Sequence, residues 1–279
     1  MKKYWTCVLL LTLFFCLGNG YVEAGSLDFA VIQPGQPGTE AEARPVMDAL
    51  ADYLQSKLGP EITVKGHYFN RLEPALAFLK TSPPAWGIVQ LGVYAEHAGN
   101  FQMTPMAATR PGGFTKDVWY LIAGRDAVST WQDLKGNVSG NMLFETKAAA
   151  CLLFGLPPDR LPFTLEGTFR PLRATRSAVK GKIAGVVLDR VQYDTVKAMS
   201  LGGKIKVLQT SRELSTSPVV WFGPQSGITK KLAGWLLGMK KDPNAEKLLA
   251  LLQTDGFGPA DPDLAKFHLD EKADACFTP

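Results

Sequence analysis

The segment "QLGVY", residues 90–94, interrupts a pattern that otherwise reads as a buried strand. Ile88 and Val89 favour strand, and a helical pattern begins near Val93. A junction of this kind has the parts for recognition chemistry. Gln90 offers an amide donor, Gly92 lets a solute approach the backbone, and Tyr94 adds a hydroxyl. Three other segments have the same character. "QPGQ", residues 33–36, sets Gln33 and Gln36 after an apolar strand, and "FETKAAA", residues 144–150, opens a helix with Glu145, Thr146 and Lys147. Asp189 ends the apolar strand "IAGVVLD", where a carboxylate accepts bonds from an amine or a hydroxyl. In an open α/β sheet, solutes collect outside the carboxyl ends of the strands, where helix N-termini present unpaired amides. Each position also has a structural use. Gly92 can end a strand, Tyr94 can fill a core, Asp189 can cap a helix, and "QPGQ" can be a plain turn.

Other chemistry is poorly supplied. His67, His97 and His268 are scattered, and the chain has no HExxH, CxxC or GxSxG. Cys151 lies in an apolar helical run with no histidine near it. Neither a metal site, a cofactor nor an enzyme is expected.

Around these segments the sequence alternates between strand and helix patterns. "LDFAVIQ" reads as a strand, and residues 41–58 as a helix whose Val46, Met47, Leu50, Tyr53, Leu54 and Leu58 recur on one face. "ITVKGHY" is a second strand. Asn70 and Glu73 resemble a capping pair for the next helix, and "WGIV" is a third strand. Residues 103–117 read as turn-rich. "VWYLIAG", a helix through "KAAACLLFG", "KIAGVVLD" and "KIKVLQT" form a second alternating set, followed by the strand "SPVVWFGP" and two helices. The tryptophans at 86, 119, 131, 221 and 235 are expected in cores. This order implies α/β architecture.

Residues 1–24 read as a cleavable secretory signal. Lys2 and Lys3 precede a short apolar run, and Val22 and Ala24 are small residues before a cut at Gly25. The expected compartment is the periplasm. Losing Lys2, Lys3 and Glu23 takes the formal charge from +4 to +3, too mild for nucleic-acid binding. Cys7 and Cys16 leave with the signal, so Cys151 and Cys276 remain as a pair that export would allow to oxidise.

The order of segments resembles the phosphonate/phosphate solute-binding proteins of bacterial ABC transporters, a branch of the type II periplasmic binding fold. "RPVMDALADYLQSKLG" is similar to the family's first helix, and "ALAFLKTSPPAWGIVQLGVYAEHA" to its strand ending in a glycine turn before tyrosine. "STWQDLKGN", "KGKIAGVVLDRV" and "LLGMKKDPNAEKLLALLQTDGFGPADPDL" follow in the family's order. The resemblance implies two lobes, each a mostly parallel sheet with flanking helices, joined by two crossing strands. Lobe 1 would be residues 25–112 and 216–279, and lobe 2 residues 113–215. It further implies a monomer that holds a small-molecule solute between closing lobes and delivers it to an ABC permease. A membrane sensor kinase is the alternative partner. Phosphonate-binding members carry an "STSGY"-like step at the lobe 2 helix start, where this chain has "FETKAAA". Glu145 there opposes a phosphonate dianion and Lys147 partly offsets it, so the expected solute is small and polar or anionic, a zwitterionic or carboxylated molecule being at least as well suited as a phosphonate.

Overall fold

The computed structural model describes residues 25–267 and Cys276. The expected signal segment, with Cys7 and Cys16, and also His268, lie outside the described residues. The chain begins β1 (Phe29–Ile32), α1 (Glu40–Leu58), β2 (Gly66–Phe69), α2 (Leu72–Thr81), β3 (Trp86–Val89), α3 (Leu91–His97) and β4 (Met103–Thr109). It continues with β5 (Lys116–Asp117), β6 (Tyr120–Gly124), β7 (Asn137–Gly140), α4 (Thr146–Phe154), β8 (Thr164–Gly167), α5 (Pro171–Val179), β9 (Gly185–Leu188), α6 (Arg190–Ala198) and β10 (Ile205–Thr210). It returns through β11 (Leu214–Ser215) and β12 (Pro218–Phe222) to α7 (Gly227–Gly238), α8 (Glu246–Leu251) and β13 (Phe257–Gly258).

Beside a short parallel pair of Gly25–Ser26 with Ile62–Thr63, two large sheets result among the described residues, ordered β13-β4-β12-β3-β1-β2 and β8-β7-β9-β6-β10. Between them, β5 pairs antiparallel with β11, with Leu214 opposite Asp117. The parallel core expected of each lobe is present as β2-β1-β3 and β8-β7-β9. Around it each sheet is mixed. β12 runs antiparallel to β3 and β4 because it brings the chain back from the other sheet. For the same reason β6, the first strand after the crossing, is antiparallel to β9 and β10.

Local signals account for most boundaries. Thr39 caps α1, its hydroxyl accepting from Glu42 N–H while the Glu42 carboxylate accepts from Thr39 N–H at 2.7 Å. Gly155 ends α4 with φ 68°, the left-handed value that glycine adopts cheaply. Two expectations fail. Residues 103–109 form a strand although they contain Pro105. The edge strand β13 pairs only with Thr109 and Ala108, so the missing N–H of Pro105 breaks no bond on that side. Asn70 does not cap α2, whose N-cap is Arg71. Its side-chain amide donates instead to the carbonyls of Gly38 and Gln36, holding the loop after β1.

Alternation along β1 sends Phe29 and Val31 to one face and Ala30 and Ile32 to the other. The first pair packs with Met47, Leu50, Leu54 and Leu236 beneath α1 and α7. The second joins a cluster that runs through Leu91 and Tyr94 of α3 into Val138, Met142 and Leu152 of the other lobe. The lobes therefore touch through α3 and α4. Trp86, Trp119 and Trp221 are buried, and Trp131 and Trp235 pack partly buried on these cores. Cys151 of α4 is bonded to Cys276, 125 residues away.

Candidate functional site

A cavity of ≈ 260 Å³ lies where the two sheets and both crossing strands meet. The first lobe contributes Gln33 and Gln36 after β1, Gln90 after β3, Thr109 at the end of β4, and Gln253 and Thr254 after α8. The second contributes Asn141 after β7, and Asp189 and Gln192 at the start of α6. The crossings supply Asp117, Trp119 and Ser215–Ser217. Most of these residues follow the carboxyl end of a strand, as expected for a solute site in an open α/β sheet. Among the described residues the wall includes no lysine, arginine or histidine, but it includes two aspartates.

The aspartates are held in place. Asp117 Oδ1 accepts from Val118 N–H (2.8 Å) and Arg190 N–H (3.1 Å), and Oδ2 accepts from the Trp119 indole (3.0 Å). Asp189 caps α6, Oδ1 accepting from Gln192 N–H at 2.8 Å. Burial and the neighbouring Asp117 push Asp189 up to about 7. Burial also raises Asp117, although its three donors and the Arg190 charge oppose the shift. Beside them, the amide oxygens of Gln90, Asn141 and Gln192 are buried and find no hydrogen-bond donor among the described residues. Amide groups can present either end, so the two carboxylates set the sign of the site.

Helix N-termini are the usual anion sites of such folds, and here the protein's own carboxylates stand at them. At α6, Asp117 takes Arg190 N–H and Asp189 takes Gln192 N–H. At α4, Glu96 of α3 reaches across from the first lobe and accepts from Ala148 N–H at 2.7 Å. At α3, Glu145 lies against Gly92. A Cβ built on Gly92 would sit 3.1 Å from Glu145 Cβ and 3.2 Å from Oε2.

The family model for the phosphonate periplasmic substrate-binding proteins of ABC transporters matches residues 31–265. This chain belongs to that family. It is a solute-binding protein, and the family works in the periplasm with an ABC permease. Solved structures agree on the fold. XAC2383 from Xanthomonas citri, bound to chloride ion, superposes with a TM-score of 0.68 at 16% identity, covering 87% of this chain and 95% of that one. A binding protein component of an ABC phosphonate transporter from Pseudomonas aeruginosa gives 0.61 at 12% identity, over 86% of this chain and 83% of that one. PhnD1 from Prochlorococcus marinus in complex with methylphosphonate gives 0.59 at 13%, over 87% and 95%. No curated protein matches the sequence significantly.

Within this phosphonate-family member, the residues expected to bind divide in two. Gln33, Gln36, Gln90 and Asp189 meet at the cavity. Gly92, Tyr94, Glu145, Thr146 and Lys147 do not line it. Gly92 makes its close approach to Glu145 rather than to a solute. Tyr94 is 3% exposed and packs in the cluster shared by the lobes. Glu145 is 1% exposed beneath α3, and its carboxyl is pushed up to about 8 by burial and then by Glu96. Thr146 is exposed at the start of α4, and Lys147 stands beside it, half-buried. A four-residue 3-10 turn, Asn141–Phe144, follows β7 and moves the helix start away from the cavity, putting Asn141 there instead. Asp117, Asn141, Gln192 and Gln253 escaped the sequence reasoning. Only Asp117 had a local signal, a carboxylate next to an expected crossing strand. No group of histidine, cysteine and carboxylates suited to a metal occurs among the described residues, nor does a helix long and apolar enough to cross a membrane.

Proposed function

We propose that this protein captures a polar solute bearing a cationic amine, rather than a phosphonate dianion, and presents it to an ABC permease. The supporting observation is the placement of carboxylates. Asp117 and Asp189 face the cavity with no cationic side chain in its wall, and Asp117, Asp189 and Glu96 accept from helix N-terminal amides an anion would need. An ammonium group placed between Asp117 and Asp189 neutralises a like-charge pair that is costly when both are ionised. The amide oxygens of Gln90, Asn141 and Gln192 accept its remaining protons or neighbouring hydroxyls.

In this account β5 and β11 act as the hinge, with residues 25–112 and 216–279 moving against 113–215. Residues 1–24 direct export and are removed, and the protein works as a monomer. Trp119 lines the cavity, so its fluorescence reports occupancy. A titration panel should pair small amines, amino acids and polyols with phosphate and alkylphosphonates. A saturable change is expected from amines, lost in Asp189→Asn. Saturation by phosphonates alone would reject the proposal.

A further inference from the structure

A second cavity, ≈ 230 Å³, opens beside the cleft and shares with it Gln33, Gln36, Thr109, Leu252, Gln253 and Thr254. The rest of its wall is mostly apolar, apart from Glu42 and Tyr68. Val31 and Ile88 form its floor on the first sheet, and Val46 and Met47 of α1 and Leu251 of α8 its sides. Each cavity alone falls below the roughly 300 Å³ at which ordinary ligand pockets begin, and the two together fall within that range. The rim between them is well determined. Asn70 pins the loop through Gln36 and Gly38 from one side. On the other, Gln253 closes the end of α8 in the left-handed conformation (φ 54°), fixed by Thr254 N–H donating back to the Leu249 carbonyl at 3.1 Å.

We propose that this apolar cavity is a subsite for a hydrophobic arm of the solute, whose head lies in the cleft, so that the ligand is an amphiphilic amine. The inference rests on the cationic-head assignment above, and the test separates the two. Calorimetric affinities would be measured for n-alkylammonium salts from methyl to hexyl and for the matching n-alkylphosphonates. The probes would be titrated into the intact protein and into Val46→Phe and Ala43→Leu. Both positions are only partly buried, and each substitution fills the second cavity. Melting temperatures would verify that each variant folds. Affinity should rise about fourfold per added methylene in the ammonium series. That gain should vanish in both folded variants while methylammonium affinity stays the same. Ammonium affinity independent of chain length, or a gain that persists in the filled variants, would overturn the subsite and leave the cationic head standing. The same gain in the phosphonate series, with ammonium salts silent, would keep the subsite and overturn the cationic head. Silence from both series would contradict both.

Discussion

At the residue scale the decisive groups are acids that their surroundings keep from ionising freely. Asp189, held up to about 7 by burial and Asp117, gives up its proton as pH rises through that value. Affinity for an alkylammonium probe, which stays charged throughout, should therefore increase as pH rises through about 7. Below that value the loss should approach about tenfold per pH unit. Asp117→Asn and Asp189→Asn should each weaken the same probe roughly 30-fold or more by calorimetry. Glu145 makes a separate prediction. Its folded value, about 8, lies above the ordinary 4.5, so the unfolded chain releases this proton first. Stability is lost as pH rises from about 4.5 to about 8. Glu145→Gln should flatten the melting-temperature profile over that window and raise stability at its alkaline end. An unchanged profile would show that Glu145 ionises normally. Asp189 was legible in the sequence because a carboxylate closing an apolar strand sits where sheets bind solutes. Asp117 left only a weak local signal, because its importance comes from meeting the Arg190 N–H, 73 residues away.

At the element scale the contact between α3 and α4 explains why the "FETKAAA" segment has no role in the cavity wall. Glu96 satisfies the α4 N-terminus from the opposite lobe, and Gly92 makes room for Glu145. In Gly92→Ala the Glu145 side chain must give by a few tenths of an ångström to admit the new methyl group. We expect a melting temperature lowered by a few degrees, equivalent to about 1 kcal/mol. The disulfide ties α4 to Cys276 over 125 residues. Closing a loop of that length restrains the unfolded chain strongly, so Cys276→Ser should destabilise by about 2–5 kcal/mol in denaturant titrations. Equal midpoints for the two proteins would remove the bond from the stability account. Helices such as α1 were legible through periodic apolar residues and caps. The strand at Met103–Thr109 was not, since its proline is tolerated only because a short edge strand lies beside it. The 3-10 turn at Asn141–Phe144 was hidden in the same way, and with it the displacement of the site.

At the scale of the whole molecule, two sheets linked by β5 and β11 set strand ends from both lobes around one cavity. The two-lobed plan was legible because segment order survives even where individual motifs drift. Ligand preference did not follow from that plan. It depends on which groups the fold brings together, and contacts such as the Glu96 carboxylate with Ala148 N–H or the Asp117 carboxylate with Arg190 N–H exist only after folding. Glu96, Asp117 and Asp189 occupy helix starts that would otherwise receive an anion. Methylphosphonate should be titrated calorimetrically into the intact protein, free of bound solute, above about pH 7, where the Asp189 proton has left. The structure predicts no measurable heat of binding at micromolar concentrations, and submicromolar affinity would contradict it.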